Sequence, residues 1–206
     1  MVGTFSIIAI DKEKNLMGIA VATGSIYVGD RVPWAKSGVG VVATQAYTNT
    51  TYGIMGLVLM GHGIPPKYAL KQLLSEDLDP SKRQVCMMDS EGNFAVHTGA
   101  ECPSYAGSIL DKNHCVLGNL IVSHDVLEAV HRTFQKNHNM SFPLRLLTAI
   151  KAGVKAGGDK RGHRSAAIKV VKIHPDEKSD KAEYVLNLRC DDYLNPVEKL
   201  LEKLQQ

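Results

Sequence analysis

Residues 157–164, Gly-Gly-Asp-Lys-Arg-Gly-His-Arg, bring one carboxylate, three fixed cations and one imidazole into a single short segment. Arg161 could hold a carboxylate or a phosphate through two parallel hydrogen bonds, with Asp159 fixing Arg161 or another cation in place. The alternative is a solvated turn in which a glycine ends the preceding helix. Because ordered loops on rigid scaffolds often carry function, Asp159 and Arg161 are candidate substrate-binding residues.

Amide and hydroxyl side chains follow an apolar run at residues 44–49, Thr-Gln-Ala-Tyr-Thr-Asn, and a Gly-Asn pair at 118–119 interrupts another apolar run. Gln45, Asn49 and Asn119 carry N–H donors of the kind that stabilise a tetrahedral oxyanion. The alternative is a satisfied polar network at the junctions of strands and helices, since buried polar groups must find partners.

Thr4 opens an apolar, β-branched run directly after Gly3. As an internal residue it is an ordinary strand threonine. If the chain instead started at Thr4, its hydroxyl would be a nucleophile and its own α-amine the adjacent base. The peptide bond between Gly3 and Thr4 therefore decides between a structural and a catalytic threonine.

Metal-type side chains recur at helical spacing in His124, Glu128 and His131. One helix face could present all three to a cation. The sequence offers no second cluster for a fourth ligand, which favours a polar helix face, and we expect no metal.

Residues 38–43, Gly-Val-Gly-Val-Val-Ala, match the spelling of a dinucleotide-binding loop. That loop must connect a strand to a helix and needs an acidic residue about 20 positions later, whereas these glycines enter a strand and residues 58–63 hold no acid. We therefore expect no nucleotide cofactor.

Period-two alternation and apolar runs predict the strands, and helical spacing with proline or glycine boundaries predicts the helices. The predicted strands are residues 4–10, 16–23, 39–47, 84–89, 93–98, part of 108–122, 164–174 and 183–190. The predicted helices are residues 52–60, 67–74, 126–136, 144–156 and 196–204.

The predicted order is sheet, two helices, sheet, two helices, sheet, helix. Hairpins imply antiparallel pairing, and two separated helical pairs imply two sheet faces to cover. We therefore expect an α+β fold, a layered sandwich with two largely antiparallel sheets. Without a linker or an internal repeat, residues 1–206 are predicted to form a single domain.

The composition argues against certain classes of partner and against secretion. A net charge of +3, from 24 basic and 21 acidic residues, is far from the positive field that phosphate neutralisation demands, so no nucleic acid is expected. No apolar run reaches the length of a membrane span, and the start lacks signal-peptide features. The four cysteines form no CxxC pair. We expect a soluble cytoplasmic protein that contacts no membrane.

A set of short motifs resembles a known family across the chain to about Val171. They are Thr-Phe-Ser-Ile at 4–7, Arg-Val-Pro-Trp-Ala at 31–35, Gly-Val-Gly at 38–40, Ala-Thr-Gln-Ala at 43–46, Thr-Asn at 48–49, Tyr-Gly at 52–53, Gln-Val at 84–85, Thr-Gly at 98–99, Cys102, Gly-Asn at 118–119, Gly-Gly-Asp-Lys-Arg-Gly at 157–162 and Ser-Ala-Ala at 165–167. Together they resemble an uncharacterised domain-of-unknown-function family assigned to the N-terminal-nucleophile (Ntn) hydrolase superfamily.

The resemblance implies a four-layer αββα sandwich and hydrolysis of an amide bond by an N-terminal nucleophile. Members of the family commonly start Met-Thr-Phe-Ser, whereas Val2 and Gly3 here separate the methionine from Thr4. The Gly3–Thr4 pair resembles the junction that is cleaved when proteasome-like members of the superfamily mature.

Residue roles carry over in part. Thr4 matches the nucleophile position, and Lys36, 32 positions later, matches the spacing of the activating lysine in proteasome-type enzymes, although this family often has arginine there. Such a cation would lower the pKa of the α-amine. Gln45, Asn49 and Asn119 would then stabilise the oxyanion, and Asp159 with Arg161 would orient the substrate.

Three functions stay open at this point. The first is an Ntn-type amidohydrolase acting on a small or peptide-like substrate after the chain is processed to Thr4. The second is a non-catalytic protein that holds an anionic metabolite on the same fold. The third is a structural homo-oligomer; assembly is common in the superfamily, and we expect a dimer.

Overall fold

The computed structural model describes residues 3–175 and 184–205 and has an α+β fold. The strands are β1 (Thr4–Asp11), β2 (Leu16–Thr23), β3 (Pro33–Lys36), β4 (Gly40–Ala46), β5 (Arg83–Asp89), β6 (Phe94–Thr98), β7 (Gly107–Leu110), β8 (His114–Asn119), β9 (Ser165–Lys172) and β10 (Leu186–Cys190). The helices are α1 (Thr51–Gly61), α2 (Pro66–Glu76), α3 (Asp125–Lys136), α4 (Phe142–Lys155) and α5 (Pro196–Leu204).

The strands form two sheets in which every pairing is antiparallel. The larger sheet has the order β10-β9-β2-β1-β8-β7, and the smaller has the order β3-β4-β5-β6. The predicted α+β class with antiparallel sheets is confirmed. Prolines in the first turns of α2, α4 and α5 mark the starts of these helices, because a first-turn residue needs no donor N–H.

β3 differs from the sequence expectation. It lies between the predicted strands 16–23 and 39–47, where no strand is predicted, because a four-residue strand that starts at Pro33 is too short for alternation to be detected. The interval 108–122, for which the sequence predicts at least one strand, covers most of β7, which begins at Gly107, and all of β8. The first residue of the predicted last strand, Glu183, lies outside the described residues, and β10 runs from Leu186.

Alternation along β1 divides the apolar core. Phe5, Ile7 and Ala9 pack against α3, α4 and α5, whereas Ile8 and Ile10 face the smaller sheet. A third apolar cluster lies between the smaller sheet and helices α1 and α2. Thr4 shares the alternation of Ile8 and Ile10, so its side chain lies at the edge of the layer between the two sheets.

Antiparallel register gives the sheets two distinct ends. Thr4 pairs with Asn119 and Gln45 pairs with Gln84, which brings four polar residues to one end. The turns of the hairpins β1–β2, β5–β6 and β7–β8 lie at the other end. In the part of the chain that the structure describes, no helix has both the length and the apolar composition needed to cross a membrane.

Candidate functional site

The carbonyl group of Gly3 is the centre of a hydrogen-bonded cluster at the first of these ends. The Thr4 hydroxyl donates to the Gly3 oxygen at 2.6 Å, and the Nη2 group of Arg161 donates to it at 3.0 Å. The Thr23 hydroxyl donates to the same oxygen. Thr4 and Thr23 are fully buried. Three donors therefore converge on the peptide bond that separates Gly3 from Thr4.

Asp159 holds the arginine of this cluster in place. Its buried carboxylate accepts hydrogen bonds from Arg161 Nη2 at 2.7 Å, Arg161 Nε at 3.1 Å and the Arg161 backbone N–H at 2.9 Å. The backbone N–H of Gly24 donates to the same carboxylate at 2.6 Å. This charge-assisted fork fixes the orientation of the guanidinium before any ligand arrives. The predicted pairing of Asp159 with Arg161 is therefore present.

Two glycines allow the loop to approach so closely. A side chain at Gly3 would place its Cβ 2.7 Å from Asp159 Oδ1, and one at Gly158 would lie 2.0 Å from His163 Nε2. Gly158 also has a positive φ of 54°. A bridge between Ile121 and Asp159 ties the loop to the chain after β8. A larger residue at Gly3 would push Asp159 away, and a larger residue at Gly158 would collide with His163 and strain a backbone of positive φ.

A buried amide network lies directly behind Thr4. Gln45 Nε2 donates to the Thr4 carbonyl oxygen at 3.4 Å and to Gln84 Oε1 at 2.8 Å, and its Oε1 accepts from the Ser6 hydroxyl at 2.8 Å. Asn119 Nδ2 donates to Gln84 Oε1 at 3.0 Å. Gln45 and Asn119 therefore lie beside Thr4, within a satisfied network that fixes the backbone of Thr4; their role as oxyanion donors stays a prediction.

Asn49 lies elsewhere. Its side-chain oxygen accepts from the Thr51 N–H at 3.1 Å at the start of α1, and its Nδ2 donates to Asp77 at 3.3 Å. Arg83 also holds Asp77, and its hydrogen bonds keep the pKa of that carboxyl well below the ordinary range. The contacts of Asn49 place it in the helix-start network of α1 and give it no bond to Thr4.

Lys36 also lies away from Thr4. It is exposed at the end of β3 and pairs with Gly40, the first residue of β4, whereas Gln45 is the β4 residue that contacts Thr4. These two positions are five residue steps apart, about 16 Å along β4. Counting positions from Thr4 failed because the intervening loop and β3 carry the chain to the other end of the smaller sheet. The cation beside Thr4 is Arg161.

Thr23 and Gln84 belong to the cluster although no motif singled them out as site residues. Each is a fully buried polar residue at the site end of a mostly apolar strand: Thr23 closes β2, and Gln84 follows Arg83 at the start of β5. Buried polar residues at the ends of neighbouring apolar strands are the signal that would have found both.

The three metal-type side chains predicted to share a helix face, His124, Glu128 and His131, do not share one site in the structure. His124 Nε2 lies 3.3 Å from Glu128, whereas His131 Nδ1 lies 2.9 Å from Nε2 of the buried His114. Among the described residues, Asp111, His114 and His131 are the group whose metal-type ligand atoms all lie within 4.8 Å of one another. Asp111 also accepts from Gln135 and from the Lys112 N–H, and Asn113 contacts His114 Nδ1. These contacts describe a hydrogen-bonded histidine pair.

Comparison with known proteins gives one family. The model of a family of unknown function, DUF1028, matches residues 4–200. A crystal structure of protein SPO2555 from Silicibacter pomeroyi, labelled with the same family, is 34% identical, with a TM-score of 0.87 over 98% of this chain and 85% of that chain. No curated protein matches the sequence. The match over nearly the whole chain shows that this protein belongs to the DUF1028 family.

Proposed function

We propose that this protein is an Ntn-type amidohydrolase that cleaves an amide bond in a small or peptide-like substrate, with Thr4 as the nucleophile. The observation that carries the proposal is the convergence of Thr4, Thr23 and Arg161 on the carbonyl oxygen of Gly3. The Thr4 hydroxyl lies beside the one carbonyl group whose cleavage would make Thr4 an N-terminal residue. Two further donors lie where an oxyanion would develop.

Maturation would proceed through an ester. Thr4 Oγ1 attacks the Gly3 carbonyl carbon, and its proton passes to the Thr4 nitrogen as the carbon–nitrogen bond breaks. Thr23 and Arg161 stabilise the negative charge on the Gly3 oxygen in the tetrahedral intermediate. Water then hydrolyses the ester between Gly3 and the Thr4 oxygen, releasing a carboxylate at Gly3 and a free α-amine at Thr4.

Turnover would repeat the same chemistry on a substrate. The free α-amine takes the proton from the Thr4 hydroxyl as the oxygen attacks the substrate amide, then gives it to the departing amine. Water, activated by the α-amine, hydrolyses the resulting acyl ester and releases the acid. The nearby guanidinium of Arg161 favours the unprotonated form of the amine, because two positive charges would repel each other.

The remaining site residues act as positioning groups. Asp159 orients Arg161, while Gln45 and Asn119 hold the backbone of Thr4 through the network centred on Gln84. The Gly3 carbonyl occupies the pocket that a substrate carbonyl would take after maturation. We propose a small or peptide-like amide as the substrate class, with its carbonyl oxygen held by Arg161 and Thr23 in place of the Gly3 oxygen.

The arrangement of the core supports the superfamily assignment. One apolar cluster lies between α3–α5 and the larger sheet, one between the sheets, and one between the smaller sheet and α1 with α2. We propose that these clusters separate the four layers of an αββα sandwich of the Ntn type. Thr4 then lies at the start of a central strand, next to the interior of the sandwich.

The alternative of a non-catalytic protein that binds an anion at the 157–164 loop has weaker support. The Arg161 guanidinium already donates to Asp159, Gly3 and Ser25. An anion would have to displace the Gly3 carbonyl and compete with a buried carboxylate. The same arrangement suits a group whose task is to hold a carbonyl oxygen.

We also propose a homodimer formed through α1. Its outer face exposes Ile54, Met55 and Val58, and clustered apolar side chains of this kind mark interfaces. A second copy presenting the same face would cover both surfaces. Light scattering should give a dimer mass for wild type and a monomer mass for Met55→Glu, with the exposed Leu78→Glu as the control. A monomeric wild type would contradict the dimer.

The hydrolase proposal is tested with a panel of N-acyl amino acids and short peptides incubated with processed protein. We expect amine release from at least one compound by wild type and none by Thr4→Ala, with an acyl ester on Thr4 trapped by acid quench and found by peptide mapping. Thr4→Ser keeps a hydroxyl and should retain activity. An amidase activity that survives in Thr4→Ala would exclude Thr4 as the nucleophile.

A further inference from the structure

Arg145, in the first turns of α4, is a buried cation with an unpaired guanidinium fork. The residue is 7% exposed, its Nε donates to the Phe134 carbonyl oxygen at 2.6 Å, and its guanidinium carbon lies 3.7 Å from the centre of the Phe134 ring. Among the described residues, no partner accepts a hydrogen bond from its two terminal amino groups, and no carboxylate forms an ion pair with it. Four N–H donors are therefore left without a protein acceptor.

The surroundings do not neutralise this charge. Asp11 is the acid that acts on Arg145 electrostatically, but its carboxylate is paired with Lys14 at 2.9 Å. The first turn of α4 contains no acidic residue, and the positive end of the helix dipole adds to the charge of the arginine. Among the described residues, the fully buried polar atoms that have no partner do not include the terminal amino groups of Arg145, so these groups open to the solvent of an adjacent cavity while the rest of the side chain is enclosed. A cation that is mostly withdrawn from water and has no counter-ion favours a negatively charged partner.

Arg145 lines a cavity of about 720 Å³ at the end of the sheets opposite Thr4. The turns of the β1–β2, β5–β6 and β7–β8 hairpins and the α3–α4 connection form its walls. Its charged lining residues are the cations Lys12, Lys14, Lys112 and Arg145 and the acids Asp11, Glu13 and Glu91. The lysines and glutamates are exposed, which leaves Arg145 as the buried charge of the cavity.

We propose that this cavity binds the oxyanion group, phosphate or carboxylate, of a small anionic molecule through the two terminal amino groups of Arg145. The planar fork matches two oxygens of either group, and Lys112 can add a third contact from the rim. The site is separate from the Gly3–Thr4 cluster, since it lies at Ile10 and Asp11, the other end of β1 and about 20 Å away. The proposal of an anion site at Arg145 does not depend on whether the protein is a hydrolase.

The test is titration of the full-length protein with inorganic phosphate and, separately, with succinate at constant ionic strength, followed by calorimetry and by amide chemical shifts. Saturable binding of at least one probe should shift the amides of residues 10–14 and 112–113. The probe that binds identifies the class of ligand. Lack of saturable binding by both probes, or shifts confined to residues 23–25 and 159–162, would overturn the proposal.

Two variants test whether Arg145 contacts the bound anion. Arg145→Lys keeps the charge and removes the fork, so the dissociation constant should rise by about tenfold or more. Arg132→Gln, which alters a 70% exposed arginine on α3, should leave the affinity unchanged within about twofold. An Arg145→Lys protein that binds as tightly as wild type contradicts the assignment. If that variant does not fold, the amide shifts of the wild type decide.

Discussion

Arg161 and Gly3 are 158 positions apart in the chain, and Arg161 Nη2 nevertheless donates a 3.0 Å hydrogen bond to the Gly3 carbonyl oxygen. The contact joins the loop after α4 to the residue before β1. Asp159 makes it rigid, because its buried carboxylate holds two nitrogens of the same guanidinium. A fixed cation on a backbone carbonyl beside a threonine hydroxyl is the relationship on which the proposed chemistry depends.

Replacing Arg161 with methionine should slow cleavage of the Gly3–Thr4 bond by about 10²–10³-fold, the usual effect of losing one oxyanion donor. The rate is measured by mass spectrometry of freshly purified protein over time, with circular dichroism to verify folding. Lys36→Met is the matched control and should leave the rate unchanged, because Lys36 is exposed at the far end of β3. Equal slowing in both variants would remove Arg161 from its assigned role.

Replacing Gly3 with alanine should also slow cleavage. The added Cβ would lie 2.7 Å from Asp159 Oδ1, so the carboxylate must shift and carry Arg161 away from the Gly3 carbonyl. The same mass assay reports the rate. Gly61→Ala, where the added Cβ meets Val39 at an ordinary 3.7 Å, is the control. A Gly3→Ala protein that is cleaved at the wild-type rate would show that this close approach is not needed.

Replacing Gln84 with methionine should lower the free energy of unfolding by about 2–4 kcal/mol. Gln84 accepts from Gln45 and Asn119, and its Nε2 donates to the Thr98 hydroxyl and the Gly118 carbonyl, so the substitution leaves buried groups unpaired. Urea denaturation measures the change. Gln72→Met on the exposed face of α2 should cost less than about 0.5 kcal/mol. A similar loss in both variants would argue against a special role for the buried network.

His114 should make stability depend on pH between about 4 and 6.5. Burial lowers the pKa of this imidazole from 6.5 to about 4 in the folded protein. As the pH falls below 6.5, the unfolded chain binds the proton first, so the free energy of unfolding decreases, by up to about 3 kcal/mol at pH 4. The loss should level off below pH 4.

Urea denaturation across this pH range tests the prediction. In His114→Gln, the free energy of unfolding should change less with pH than in wild type. In His62→Gln it should change as in wild type, because His62 is exposed beyond α1. Partial burial also lowers the pKa of His163, which should account for part of the pH dependence that remains. An unchanged slope in His114→Gln would assign the pH dependence to other groups.

The fold was largely predictable because alternation and helical spacing report burial directly. β1, β2 and β5 read correctly, since each has several consecutive buried residues. β6 was also predicted, although all five of its residues are only partly buried. β3 was not predicted, because its four residues include Pro33 and a partly exposed Trp34. Strand order across the two sheets had no local signal in the sequence.

The candidate site was predictable where one loop or one strand end supplied several polar residues. Asp159 and Arg161 are two positions apart and bind each other as expected, and Gln45 and Asn119 reach Thr4. Lys36 and Asn49 do not, because sequence spacing gives no information on which end of a sheet a residue occupies. Thr23 and Gln84 join the site through pairings between strands that are distant in the chain.

The most direct test of the central claim is the mass of the N-terminal peptide of the purified protein. Thr4 acts as an N-terminal nucleophile only with a free α-amine, so wild-type protein should yield a peptide that begins at Thr4, and Thr4→Ala should keep Gly3 attached. A wild-type protein in which Gly3 stays joined to Thr4 throughout would contradict the account.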